Sequence, residues 1–69
     1  MFIELTDISG VKFLFNVSHI INVSPYGDGA DVVYPNGIHE VVESYKEVKD
    51  KIEYAYEIKA QRGYRDGSK

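Results

Sequence analysis

The chain opens with apolar residues at every second position. Ile3 and Leu5 flank Glu4 within Phe2–Thr6, and Val11, Phe13 and Phe15 alternate with Lys12, Leu14 and Asn16. A period of two places alternate side chains on opposite faces, so both segments are predicted strands, with Ile3 and Leu5 directed at a core and Val11, Phe13 and Phe15 sharing one face. Asp7-Ile8-Ser9-Gly10 between them is a predicted turn in which Gly10 is free to take positive φ. After a short Asn16-Val17-Ser18 connection, His19–Ser24 reads as a third strand. Pro25-Tyr26-Gly27-Asp28-Gly29 is then expected to break that strand and open a loop. Ala30–Tyr34 is a predicted fourth strand, with Val32 and Tyr34 on one face and Asp31 and Val33 on the other. Pro35-Asn36-Gly37 predicts a hairpin whose Asn-Gly pair fits a type I′ turn, and Ile38–Glu43 is its returning fifth strand.

The period changes after Glu43. Ser44-Tyr45-Lys46-Glu47 has the capping-box pattern. Tyr45, Val48, Ile52, Ala55 and Tyr56 recur at helical spacing as one apolar stripe. A helix is predicted over about residues 45–61, with Gly63 as its C-terminal cap. Lys46–Asp50, Glu47–Lys51 and Lys49–Glu53 are expected as i,i+4 ion pairs on the wet face. The elements together predict an α+β fold, a small antiparallel sheet or partly open barrel of about five strands followed by one C-terminal helix. One domain is expected over residues 1–62, with 63–69 a flexible tail.

Sixty-nine residues are one domain or less, and a chain of this size buries only roughly 60% of its unfolded surface. Small domains compensate with disulfides, a metal or a partner. There is no Cys, which removes disulfides and thiolate metal sites and leaves association with another protein or with a second copy. The start of the chain does not have the pattern of a signal or transit peptide, and no apolar stretch nears the roughly 18 residues of a membrane span, so a cytoplasmic location is expected.

The net charge of −3 is uneven: residues 1–50 carry −5 and residues 51–69 carry +2. An acidic body repels phosphate, so a nucleic-acid surface would have to use Lys59, Arg62, Arg65 and Lys69 with Tyr64 in the tail; this is the alternative reading. Phe13 and Phe15 alternate as a base-stacking platform would, but they lie in the acidic half and read as core.

Catalytic chemistry finds little support. Ser9, Ser18, Ser24, Ser44 and Ser68 sit in turn, strand-end, cap or tail contexts, and His19 and His39 are the only imidazoles. No nucleophile-elbow pattern accompanies them, and the chain is short for a sequestered pocket. No catalytic residue, cofactor or metal is expected. His39 and Glu40 are neighbours on a strand and diverge, Asp28-Gly29-Ala30-Asp31 lacks the ligand run of a calcium loop, and Tyr26-Gly27-Asp28-Gly29 leads into a strand rather than the helix a phosphate cradle needs.

Six tyrosines are the unusual feature. Tyr45 and Tyr56 fall on the helix stripe and are expected in the core. Tyr54 lies on the far side with Ile58, and Arg62, Tyr64 and Arg65 follow. Tyr and Arg are enriched at protein interfaces. Tyr54, Ile58, Arg62, Tyr64 and Arg65 are therefore the candidate contact surface.

Met1-Phe2-Ile3-Glu4-Leu5-Thr6, Ser9-Gly10, Phe13-Leu14-Phe15-Asn16, His19-Ile20-Ile21-Asn22-Val23, Asn36-Gly37 and Val41-Val42-Glu43-Ser44 leading into Glu47-Val48 and Ile52 follow one another in a distinctive order. Over about residues 1–53 this resembles the flagellar FlbD / swarming-motility SwrD family of small proteins. The resemblance implies a small cytoplasmic, non-enzymatic protein acting on flagellar motor proteins, and it supplies no catalytic or ligand residues. The chain departs from that family at Pro25-Tyr26-Gly27-Asp28-Gly29-Ala30 and in its Tyr- and Arg-containing tail.

Overall fold

A computed structural model describes the backbone of residues 1–67 and the side chains of residues 1–57. The elements are β1 (Phe2–Thr6), β2 (Lys12–Asn16), a 3-10 turn over Val17–His19, β3 (Asn22–Tyr26), β4 (Gly29–Tyr34), β5 (Gly37–Val41) and α1 (Tyr45–Gly67). β1 and β2 form an antiparallel pair, and β3, β4 and β5 form an antiparallel sheet in that order. The two sheets touch where Asp7 bridges Val41 and the Val42 N–H donates to the Thr6 carbonyl at 2.9 Å. The sheets are not closed into a barrel, and the α+β class read from the sequence holds.

Strand alternation explains the core. Ile3, Leu5 and Phe15 from the first sheet meet Ala30, Val32 and Val41 from the second, with Val17 and the helix residue Val48. Leu5, Val32, Val41 and Val48 are fully buried, each contributing about 1.5–3 kcal/mol of transfer free energy. Ile52 and Ala55 extend the helix contact. The hydroxyl of Ser44 accepts from the Glu47 N–H at 3.1 Å, capping α1 as its sequence pattern predicts. Asp7 ties the first turn: its Oδ1 accepts from the N–H groups of Ser9 and Val11, both at 2.9 Å, while Gly10 takes φ of +91°.

Several expectations need correcting. The third strand is displaced toward the C-terminus, because Asn16 Oδ1 accepts from the N–H and hydroxyl of Ser18 and holds Val17–His19 in a 3-10 turn. Pro25 does not break β3; it pairs with Ala30 inside it. The turn is only Gly27-Asp28, so Tyr26 and Gly29 form its hydrogen-bonded pair, and alternation makes Pro25–Ala30 a pair without ladder bonds. The missing N–H of Pro25 therefore faces away from β4, on an edge strand, where it costs nothing. Gly27, at φ of +55°, supplies the positive φ of the first turn position.

The second hairpin forms as expected, but Tyr34 pairs with Gly37, so its central residues are Pro35-Asn36 rather than Asn36-Gly37. Proline cannot take positive φ, which rules out a type I′ turn there. The helix passes through Gly63 and continues to Gly67 instead of ending near 61. Of the three expected ion pairs only Lys46–Asp50 closes, at 2.9 Å, and both partners are well exposed. Tyr45 and Tyr56, expected in the core, are exposed. Counting round the helix from the buried centre at Val48 and Ala55, both lie about 70–90° to one side, past the edge of the sheet contact.

Candidate interaction surfaces

Exposed apolar side chains gather in three places. The first is the β1–β2 sheet. Its outer face carries Phe2, Glu4 and Thr6 beside Asn16, Leu14 and Lys12. Leu14 is 69% exposed and Phe2 nearly as much. On the inner face Phe15 is buried, but Val11 and Phe13 are half-exposed although they share its period. The cause is topological: β2 pairs with β1 alone, and nothing follows it in the sheet.

The direction of the backbone groups on β2 follows from two bonds. The Asp7 N–H donates to the Val11 carbonyl at 2.9 Å, and the Val17 N–H donates to the Met1 carbonyl at 3.0 Å. Alternation then gives Phe13 and Phe15 the ladder bonds to β1 and turns the N–H and C=O of Lys12, Leu14 and Asn16 outward. The same rule turns Thr6 away from β2. Its N–H donates to Glu43 Oε1 and its hydroxyl to Glu43 Oε2, both at 2.8 Å. Among the described residues no other strand reaches the outward groups of Lys12 and Leu14. The Asn16 backbone lies against the Tyr34 hydroxyl.

Phe13 opens an aromatic cluster. It meets Phe15 edge-on at 6.4 Å; Phe15 stacks on Tyr34 at 5.9 Å, and the His39 ring stands edge-on to both at 5.4 and 5.8 Å. Burial pushes the Tyr34 phenol above its ordinary value, with the Asn16 contact acting the other way. These rings bind the two sheets together below the open end at Phe13.

The second place is the outer face of β3–β4–β5. Asp31 stands directly opposite Glu40, and Val33 opposite Ile38. Ile8, Tyr26, Asp28, Glu40 and Val42 line a shallow open cavity of about 290 Å³ at one end. No Lys or Arg lies in these strands. Glu40 thus faces outward while His39 joins the aromatic cluster on the other side. Among the described residues no group of three or more His, Asp or Glu side chains is placed to hold a metal ion.

The third place is the helix surface expected from the sequence. Tyr54 is 64% exposed, on the side away from Val48. The side chains of Ile58, Arg62, Tyr64 and Arg65 lie outside the described residues, as do those of Lys59 and Lys69. The helical backbone carries Ile58, Arg62 and Arg65 at four, eight and eleven residues from Tyr54, which is one side of a continuous helix.

The β2 edge was missed in the sequence, yet a signal was there. Leu14 occupies a position whose neighbours on the same face, Lys12 and Asn16, are polar, and a large apolar residue on a wet face marks a contact. No family model, curated protein or solved structure matches the chain. No helix among the described residues is long and apolar enough to cross a membrane.

Proposed function

We propose that this chain is a small protein-binding and assembly module, regulatory rather than catalytic, that works by presenting surfaces to another protein or to its own copies. The observation that supports it is the exposure of Tyr54 on a helix face turned away from the core. The stripe continues in sequence through Ile58, Arg62 and Arg65, with Tyr64 alongside. An aromatic and aliphatic stripe flanked by arginines has the composition of an interface centre. The resemblance of residues 1–53 to the flagellar FlbD / SwrD family points in the same direction, toward a partner in a motility assembly.

The test is the solution mass of the full chain beside the Tyr54→Glu/Ile58→Glu variant, by light scattering coupled to size exclusion. Association through this stripe predicts a larger species for the parent and a smaller one for the variant, with the same far-UV circular dichroism. Equal masses for both chains would remove this helix face from the reading.

A further inference from the structure

The edge of β2 is a built strand-pairing site, and we infer that its occupant is the β2 strand of a second copy, paired antiparallel about a twofold axis at Phe13. This inference rests on the assembly reading above but uses a different surface. What such an edge accepts is fixed by its chemistry. Outward N–H and C=O groups alternating along a strand are satisfied by another strand. Of the other strands at a sheet edge, β3 carries Pro25, and β1 and β5 are joined to each other at their ends by the Asp7–Val41 bridge and the Val42–Thr6 bond, whereas β2 contains no proline and no bulge.

Three observations select the register and the partner. First, with Phe13 opposite its twin, Lys12 faces Leu14 of the other copy and Leu14 faces Lys12. The N–H and C=O of both residues are then paired in each copy, while Asn16, already against Tyr34, is not needed. Second, the same register covers the apolar side chains that the monomer leaves half-exposed. Phe13 meets Phe13 across the axis, extending the Phe15–Tyr34–His39 cluster into the other copy, and Val11 falls opposite Phe15. Third, the charges match. Glu4 lies beside Leu14 on the outer face, so the row across the junction runs Glu4, Leu14, then Lys12 and Thr6 of the second copy. Each lysine lies in the row of the other copy's Glu4, and no two like charges stand opposite. Two chains of net charge −3 thereby meet at a strand that carries a cation and no acid.

The register can be read with cysteine, because the chain has none of its own. Non-hydrogen-bonded antiparallel partners have Cα atoms about 4.5 Å apart, within disulfide reach. Full-length Phe13→Cys is expected to oxidise to a covalent dimer at least about tenfold faster than Ile38→Cys, which is exposed on another surface, because pairing raises the local thiol concentration. A second chain, made by chemical synthesis with an N-methyl group on Leu14, loses an outward N–H and keeps every β1 bond. It is expected to run at the 7.8 kDa monomer mass with unchanged circular dichroism, where the parent runs at twice that mass or a multiple of it.

The combination with Tyr54→Glu/Ile58→Glu separates the two surfaces. If Phe13→Cys cross-links as fast in that background, the edge acts independently of the helix, as inferred. If cross-linking and mass both collapse there, association belongs to the helix face; the edge pairing is overturned and the assembly reading stands. A monomeric parent, or an N-methyl-Leu14 chain that still dimerises, overturns the edge pairing directly.

Discussion

Glu43 should be worth far more to stability than its position in a loop suggests. Both carboxylate oxygens are used, one by the Thr6 N–H and one by the Thr6 hydroxyl, each at 2.8 Å, and the contact joins residues far apart in sequence. It closes the seam where β1 meets the end of β5, next to the Val42–Thr6 bond. Hydrogen bonds to a charged group contribute roughly 1.5–3 kcal/mol each, and partial exposure places these two at the lower end. Glu43→Ala is therefore expected to cost about 2–3 kcal/mol, or roughly 10–20 °C in melting temperature for a chain this small. Thr6→Val removes the hydroxyl and keeps the N–H, so it should cost about 1 kcal/mol, and the double variant should show a coupling of about 1 kcal/mol.

Burial, the largest single influence, pushes the Glu43 carboxyl up. The Thr6 backbone and hydroxyl bonds, its own backbone N–H and the attraction of Lys51 together outweigh burial and leave the group below its ordinary value. A carboxyl depressed in the folded state stabilises above its unfolded pKa, and that stabilisation is lost as pH falls through the folded value. The assay is urea unfolding at pH 7 and at about pH 3, followed by circular dichroism and tyrosine fluorescence, since there is no Trp. A Glu43→Ala cost below about 0.5 kcal/mol at pH 7, the range of an ordinary surface change, would show that the two Thr6 bonds do not hold the seam. A deficit undiminished in acid would show the same of the ionised carboxylate.

Gly29→Ala should be strongly destabilising, by more than about 2 kcal/mol, because an added Cβ would overlap the Val41 carbonyl in the next strand; Gly10→Ala meets open space and should cost about 1 kcal/mol through its positive φ alone. Urea midpoints compare the two. Ser44→Ala removes the acceptor for the Glu47 N–H and should cost about 1 kcal/mol, with the loss read in the same titration. Val48→Ala should cost about 2–3 kcal/mol, whereas Tyr56→Ser, on the exposed flank, should stay within about 0.5 kcal/mol. Asp7, held below its ordinary value chiefly by the Val11 N–H and then by Ser9, stabilises the first turn above the carboxylate range; Asp7→Asn should flatten the acid limb of the stability curve.

Local physics made much of this fold readable in the sequence. Alternation in Phe2–Thr6 and Lys12–Asn16, the Asp7–Gly10 turn, the hairpin at Pro35–Gly37 and the Ser44 cap depend on contacts within a few residues, and each is where the pattern puts it. So is the core contribution of Ile3, Leu5, Val32 and Val48. The exposure of Tyr54 follows from helical spacing alone.

What the sequence could not decide is which strand ends a sheet and where the helix leaves it, because those depend on contacts between segments. Pro25 reads as a breaker until β3 is known to be an edge strand with that residue's N side facing out. Val11 and Phe13 carry the same period as Phe15, yet only Phe15 is buried, because nothing stands beyond β2 to cover the others. Tyr45 and Tyr56 repeat at helical spacing with Val48, but the width of the sheet beneath α1 decides how much of that stripe is covered. A periodic pattern states which side chains share a face. Only the packed neighbours determine whether that face is closed, and in this protein the faces left open are the ones from which its function is proposed.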